Sequence, residues 1–265
     1  MKKTILLTGA TDGIGFETAK MFAKDGHNLL IHGRSKQKLE TTKDALLKIN
    51  PNLVIETFLA DFSILAEVRS MAKTILSKFT KLDILINNAG IFVVDESKVI
   101  TTDGLDIRFS VNTIAPYILT KMLIPILGKN SRVVNVSSAA QDTINFEAFN
   151  NNKKLSNGAA YAQSKLAIIM WTMEMAEEFP NGPMFVSVNP KSYLGSKMVR
   201  DAYGKEGFDL QIGADILYNA SLSEEFKDAN GKYYDNDNCV FADPHADAFN
   251  KETRIKLIEE MAKYL

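Results

Sequence analysis

The sequence reads Thr8-Gly9-Ala10-Thr11-Asp12-Gly13-Ile14-Gly15 directly after its first short apolar run. Glycines between a strand and a helix permit a tight turn and let the backbone approach a pyrophosphate closely. The first turn of the helix that follows presents N–H groups without intrahelical partners to the anion. We therefore predict a strand, a phosphate-binding turn and a helix here, which together form a dinucleotide site.

Apolar runs typical of buried strands recur along the chain, at residues 5–7, 29–31, 54–55, 84–86, 133–136 and 185–188. Helical patterns separate them, at residues 16–25, 36–49, 63–79, 114–127 and 161–179. Parallel strands need crossover connections, which are usually helices. The alternation predicts an α/β fold in which residues 1–265 form a single-domain, doubly wound parallel sheet with helices on both faces.

Charge gives no broad reason to expect a nucleic-acid partner or an anionic membrane, because 31 basic residues face 32 acidic ones. Cys239 is the single cysteine, and the three histidines lack metal-ligand spacing, so we expect no metal site. The first apolar run is too short for a signal peptide, and no apolar stretch approaches 18 residues. These features predict a cytoplasmic protein without a membrane span.

Two segments interrupt the regular alternation, at residues 139–160 and 191–211. Both follow predicted strands, and ligands of open α/β sheets bind beyond the carboxyl ends of the strands. They are therefore candidate substrate-covering loops, with 191–211 the stronger one. The alternative is that they are surface loops without function.

The glycine spacing, Gly-x-x-x-Gly-x-Gly, resembles that of the short-chain dehydrogenase/reductase family. Further matches follow in the family's order: Asp61, Asn87-Asn88-Ala89-Gly90, Asn112, Ser138, Tyr161-x-x-x-Lys165 and Asn189-Pro190. The long gap between Ser138 and Tyr161 resembles the retinol-dehydrogenase-like branch. The resemblance implies a Rossmann fold and hydride transfer between a nicotinamide cofactor and a small-molecule carbonyl or alcohol. The helices at 114–127 and 161–179 resemble the family's dimer-forming pair, which would give a homodimer or homotetramer, whereas a core role alone would leave a monomer.

The Tyr-x-x-x-Lys pattern occurs three times, so its context has to decide. Tyr117 lies in an apolar helical run, where a core or interface role is expected, and Tyr193 lies in the glycine-bearing loop. Only Tyr161 follows the serine-bearing strand and begins a helical segment. A four-residue spacing places Lys165 on the same helix face as Tyr161. We therefore assign the pattern to this pair.

The resemblance implies a catalytic set of Asn112, Ser138, Tyr161 and Lys165. Tyr161 would exchange a proton with the substrate oxygen, and the Lys165 ammonium would stabilise its phenolate. Ser138 would hydrogen-bond the substrate oxygen, although the adjacent Ser137 is a rival. Asn112 would hold a water through its main chain; alternatively, it is a helix-interior residue satisfied by a neighbouring strand.

The resemblance also implies a set of cofactor contacts. In the family, the acid at the position of Asp61 bonds the adenine ring, although an Asp before a helix can also be its N-cap. The segment 88–90 would line the adenosine ribose. The full set is Thr8, Gly9, Thr11, Gly13, Ile14, Gly15, Arg34, Ser35, Asp61, Phe62, Asn88, Ala89, Gly90, Tyr161, Lys165, Pro190 and Ser196.

Cofactor choice depends on the end of the second strand, where NAD-selective relatives carry an acid that bonds the ribose hydroxyls. Here the position is Gly33, and Arg34 follows it. A charge-assisted contact between Arg34 and a 2′-phosphate favours NADP(H) over NAD(H). Two observations oppose this choice: Asp12 stands where many NADP-using relatives carry a base, and Arg34 could be a solvated surface residue.

The main departure from the family pattern follows the sixth strand, where Lys191 replaces the usual glycine. A positive φ at this position would strain a lysine. We expect Ser196 to supply the hydroxyl that relatives carry nearby, and Lys191 to favour polar or anionic carbonyl substrates. Two rival functions remain: a non-catalytic NADP(H)-binding sensor or scaffold, and an epimerase or dehydratase, whose larger C-terminal domain is hard to fit into residues 191–265.

Overall fold

A computed structural model gives the protein, over residues 1–92 and 95–265, one sheet of eight strands in the order β3-β2-β1-β4-β5-β6-β7-β8. The strands are β1 (Thr4–Leu7), β2 (Asn28–Gly33), β3 (Ile55–Leu59), β4 (Leu82–Asn87), β5 (Leu127–Val136), β6 (Met184–Asn189), β7 (Tyr233–Asp235) and β8 (Val240–Ala242). Strands β1 to β7 pair in parallel, and β8 is antiparallel to β7. All six predicted strands are present. The doubly wound Rossmann fold is confirmed.

Helices cover both faces of the sheet. They are α1 (Gly13–Lys24), α2 (Lys36–Ile49), α3 (Leu65–Lys78), α4 (Ile107–Phe109), α5 (Ala115–Leu123), α6 (Phe146–Phe149), α7 (Asn157–Glu178), α8 (Lys197–Tyr203), α9 (Leu210–Leu222) and α10 (Lys251–Ala262). One apolar core lies under α3, α5, α7 and α10, and the other lies under α1, α2 and α9. Each face is therefore sealed by helices that present an apolar stripe to the strands.

Helix α3 corrects the alternative interpretation of Asp61 as its N-cap. The N-cap is Ile64, which makes no side-chain cap bond, and the amide of Leu65 donates to the distant Asp103 Oδ2 at 3.0 Å. Asp61 instead accepts hydrogen bonds from the amide and hydroxyl of Ser63. The cap is supplied across 38 residues of sequence, so no local pattern could reveal it.

One helix is long and apolar enough to cross a membrane by length and composition, which contradicts the expectation drawn from apolar runs alone. It spans Ile107–Ile126 and includes a π-helical segment, Ser110–Ile114, between α4 and α5. Its mean hydropathy is 1.2, and 78% of the apolar stretch is buried in this fold. That burial is the behaviour of a core helix, which passes the same test.

The two predicted loops are partly ordered as helix. Segment 139–160 contains α6 and the start of α7, and segment 191–211 contains α8. In the second, Leu194 pairs with Phe208, which closes the segment into a compact excursion from β6. Both lie beyond the carboxyl ends of β5 and β6, where an open α/β sheet binds ligands.

Candidate active site

The glycine turn between β1 and α1 has little room for side chains. Gly9 and Gly13 adopt positive φ values of 65° and 53°, which favour glycine. A Cβ on Gly15 would lie 2.3 Å from the Gly9 carbonyl oxygen. Asp12 caps α1 by accepting a bond from the Gly13 amide. The turn therefore forms a bare backbone cradle at a helix N-terminus, which suits a pyrophosphate.

Thr8 connects this turn to the segment after β4. Its hydroxyl donates to the Ile86 carbonyl at 3.2 Å and accepts from the amides of Asn88 and Ala89 at 2.9 and 3.0 Å. The Asn88 side chain in turn donates to the carbonyls of Thr8 and Gly9. Thr8 is only 1% exposed, so its hydroxyl holds the turn rather than facing a ligand. This corrects its assignment as a side-chain contact to the cofactor.

His32, which the sequence interpretation did not select, supports the turn from β2. Its Nδ1 accepts from the Gly9 amide at 3.3 Å, and its Nε2 lies 3.0 Å from the Ala60 carbonyl oxygen. This pattern requires the neutral tautomer that carries a proton on Nε2. Burial lowers the pKa of His32 to about 4. The ring also stacks on Phe62 at 4.1 Å.

Phe62 therefore corrects a second cofactor assignment. Its ring is 3% exposed and belongs to the core, and its carbonyl accepts a bond from the Ser110 hydroxyl. Neither the ring nor the carbonyl is directed at a ligand. Asp61, the neighbouring residue, is half-buried at the end of β3.

The end of β2 forms the corner that decides cofactor choice. A Cβ on Gly33 would lie 2.7 Å from Thr11 Cγ2, so an acidic side chain does not fit there without displacing Thr11. Arg34 is exposed, and no carboxylate among the described residues pairs with it. Ser35 caps α2 through its hydroxyl. Asp12, the residue that opposed NADP(H), forms an ion pair with Lys38 at 3.0 Å.

Lys165 and Tyr161 lie one turn apart on α7. The Lys165 ammonium donates to the Val136 carbonyl at 2.8 Å and lies 5.6 Å from the centre of the Tyr161 ring. Lys165 is 4% exposed, and burial lowers its pKa to about 8. Tyr161 is half-buried, and its ring packs against Phe92 at 4.6 Å. A cation at this range favours the phenolate form of a tyrosine.

Asn112 lies in the π-helical segment and joins three parts of the site. Its amide group exchanges hydrogen bonds with the main chain of Ile91 and donates to the Ser164 hydroxyl at 2.9 Å. A Cβ on Gly90 would lie 3.4 Å from Asn112 Oδ1 and 3.6 Å from Lys165 Nζ. Single π-helical turns occur frequently at functional sites. The bonds of Asn112 reach the chain after β4 and helix α7, so its side chain is satisfied as well as central.

The two serines after β5 are placed differently. The Ser137 hydroxyl is buried and donates to the Lys165 carbonyl at 2.8 Å, so it fastens β5 to α7. Ser138 is half-buried, and its hydroxyl accepts from the Ala140 amide at 3.1 Å. Ser137 therefore has a structural partner, and Ser138 is the one nearer to the open end of the sheet.

Lys191 adopts a φ of 114°, in the region that favours glycine. The surrounding chain fixes this conformation through Asp237, which accepts from the Ser192 amide and hydroxyl and from the Asn189 side chain. The Lys191 ammonium lies 3.9 Å from Asp237. A carboxylate therefore already offsets the charge that was expected to attract anionic substrates.

The same loop returns to the glycine turn. A Cβ on Gly13 would lie 3.8 Å from Ser196 Cβ, and a Cβ on Gly213 would lie 2.7 Å from Ile14 Cγ2. Ser196 also caps α8. Pro190 lies half-buried at the loop's start, and its carbonyl accepts from the Asn236 side chain.

The predicted site residues thus fall into two neighbouring groups at the carboxyl ends of the strands. The catalytic candidates Asn112, Tyr161 and Lys165 are linked by direct contacts, and Ser138 lies two residues beyond the Val136 carbonyl that binds Lys165. The rival tyrosine Tyr117 is buried against Trp171 and Tyr193 is exposed on the loop. Val93 and Val94, beside the site, lie outside the described residues.

This fold and constellation define a class of enzyme, and comparison with known proteins agrees. The family model for short chain dehydrogenases matches residues 3–203. The chain belongs to the short-chain dehydrogenase/reductase family, and it is an oxidoreductase of that family.

Individual relatives place it in the retinol-dehydrogenase-like branch. The chain is 31% identical to mouse retinol dehydrogenase 12 across 96% of this chain and 84% of the relative. It is 30% identical to mouse retinol dehydrogenase 13, across 88% and 75%. Human polyprenol dehydrogenase is 32% identical over a shorter part, 65% of this chain and 54% of that protein.

Solved structures share the fold. A short chain dehydrogenase from Shigella flexneri complexed with NADP superposes with a TM-score of 0.70 at 24% identity, covering 89% of this chain and 97% of its own. A short chain dehydrogenase from Escherichia coli CFT073 complexed with NADPH gives the same TM-score and identity, covering 88% and 96%.

Proposed function

We propose that the protein transfers a hydride between NADP(H) and a small-molecule carbonyl or alcohol, with Tyr161 as the general acid and base. One observation carries the proposal: the buried Lys165 ammonium lies against both the Tyr161 ring and the Asn112–Gly90 junction. A buried cation beside a half-buried tyrosine, at the open end of a dinucleotide-type sheet, is the arrangement that proton exchange with a substrate oxygen requires.

The residues present fit a dinucleotide. The backbone cradle at Gly9, Gly13 and Gly15 leaves room where side chains would stand, and the first turn of α1 faces it. NADP(H) would supply or accept the hydride. The absence of space at Gly33 and the exposed Arg34 favour the 2′-phosphorylated form, and the two solved NADP and NADPH complexes agree with that choice.

The chain's own residues would handle the proton. The Tyr161 hydroxyl would give a proton to the substrate oxygen in reduction and take one back in oxidation. The Lys165 cation would favour the phenolate that reduction leaves behind. Ser138 would hydrogen-bond the substrate oxygen, and Asn112 would hold α7 and the segment after β4 in register.

We propose apolar aldehydes, ketones and alcohols as the substrate class. Exposed apolar side chains lie in and just after the loop at 191–211, namely Tyr193, Phe208 and Ile212. The relatives named for retinol and polyprenol point in the same direction. Such a pocket wall would bind the hydrocarbon part of a substrate and leave its oxygen to the polar group.

The test is oxidation of NADPH and NADH by purified protein with a panel of aldehydes and ketones. We expect kcat/KM with NADPH to exceed that with NADH by about tenfold to a hundredfold, the range of one charge-assisted contact. Arg34→Ala should remove most of this preference, whereas Lys48→Ala, at the far end of the same helix, should leave it unchanged. Equal efficiency with both cofactors, unaffected by Arg34→Ala, would refute the NADP(H) proposal.

A further inference from the structure

The main-chain oxygen of Ser138 receives two hydrogen bonds from side chains. The Tyr233 hydroxyl donates to it at 3.2 Å, and Gln141 Nε2 donates to it at 3.1 Å. Tyr233 lies on β7 and is 5% exposed, so it reaches Ser138 through the interior from a strand 95 residues further along the chain. Burial raises the pKa of Tyr233, which keeps its hydroxyl protonated and able to donate.

The loop after Ser138 is fastened at two further points. Gln141 Oε1 accepts from the His245 amide at 2.7 Å, which ties the loop to the C-terminal segment. Gln163 Oε1, on α7 between Tyr161 and Lys165, accepts from the Asn145 amide at 2.9 Å. The loop is thus held between the helix that carries the catalytic tyrosine and the last quarter of the chain.

Two of these partners, Tyr233 and His245, lie beyond residue 203, where the family match ends. The part of the chain that matches the family therefore supplies the serine, and the part that does not supplies bonds that fix its main chain. Hydrogen bonds made in a buried environment are directional and hold their acceptor firmly.

We propose that Tyr233 and Gln141 are positioning residues, which fix the Ser138 carbonyl and thereby hold the Ser138 hydroxyl where it can bond a substrate oxygen. The inference rests on the proposed function for the role of Ser138 but not for the link itself. A misplaced serine lowers the rate of the chemical step more than it changes cofactor binding.

The variant Tyr233→Phe removes one hydroxyl and keeps the ring. Tyr234→Phe is the matched control, because Tyr234 is the next residue of the same strand and is equally buried, at 6% exposed. Its ring packs against Phe226 and Phe241 on the other side of the sheet, and none of the bonds described for Ser138 involves it. The two variants therefore lose the same atom from opposite faces of β7.

Two measurements are made on both variants and the wild type. Hydrogen–deuterium exchange should become about fivefold faster in residues 137–145 of Tyr233→Phe and stay unchanged in Tyr234→Phe. The kcat for carbonyl reduction should fall about fivefold in Tyr233→Phe alone, with NADPH affinity within twofold of the wild type. Gln141→Leu should repeat both effects.

Each result decides a separate question. Unchanged exchange in residues 137–145 of Tyr233→Phe would overturn the link, whether or not the protein is active. Faster exchange with a wild-type kcat would overturn the positioning role. A wild type that reduces no carbonyl would overturn the proposed function, while the exchange measurement would still decide whether Tyr233 holds the loop.

Discussion

Two basic side chains lie buried beside the site, and burial lowers the pKa of both. His32, with a pKa of about 4, is neutral at pH 7, which its bonds to the Gly9 amide and the Ala60 carbonyl require. Lys165, with a pKa of about 8, keeps most of its charge at pH 7 and is the cation nearest to the Tyr161 ring. One residue holds the cofactor turn as a neutral group, and the other serves the proposed chemistry as a cation.

His32 should make the fold sensitive to acid. Its pKa falls from 6.5 to about 4 on folding, so the unfolded chain takes up the proton first and stability is lost as pH drops from 6.5 towards 4. Between pH 7 and pH 5 this loss amounts to about 2 kcal/mol. Denaturant unfolding at both pH values should show that much less acid sensitivity in His32→Gln than in wild type or in His245→Gln. An identical loss in all three proteins would contradict the assignment.

At the scale of elements, periodicity predicted what is long and missed what is short. Six strands and the helices α1, α2, α3, α5 and α7 follow from apolar spacing in the sequence. Strands β7 and β8 have three residues each, too few to show an alternation. The π-helical segment at 110–114 was not predicted either, because it looks like ordinary helix in sequence.

The loop after β6 carries a conformational strain that can be measured. Lys191→Gly and Lys191→Ala both remove the ammonium, but only glycine adopts a φ of 114° without strain. The glycine variant should therefore exceed the alanine variant in free energy of unfolding by about 1 kcal/mol, even though glycine makes the unfolded chain more flexible. Chemical denaturation of the two variants gives this difference. A more stable alanine variant would show that the loop does not impose the positive φ.

At the scale of the whole molecule, the C-terminal segment completes the site. Helix α10 packs along α7, where Arg254 and Lys251 pair with Glu174 and Glu177. Strand β7 brings Tyr233 to Ser138. The catalytic candidates could be predicted because their spacing resembles a known family. Their supports, His32, Gln141 and Tyr233, could not, because each acts through partners distant in sequence and leaves no local pattern.

α10 also bears on assembly, because it covers part of the helix that was expected to pair in a homodimer. Arg254 is 6% exposed and its guanidinium bonds both Glu174 and Glu177. Ion pairs with a buried arginine are costly to break on one side. The homodimer or homotetramer stays a prediction from the family resemblance, and any such interface on α7 has to accommodate α10.

The most direct test of the account is the rate of NADPH-dependent carbonyl reduction by Tyr161→Phe. This change removes the transferable proton and keeps the ring, so kcat should fall by about 10²–10⁴-fold while NADPH affinity stays within a few fold of the wild type. Tyr117→Phe, which removes a buried hydroxyl from the first of the three Tyr-x-x-x-Lys pairs, should have a mild effect. A Tyr161→Phe enzyme that reduces carbonyls at the wild-type rate would contradict the central claim.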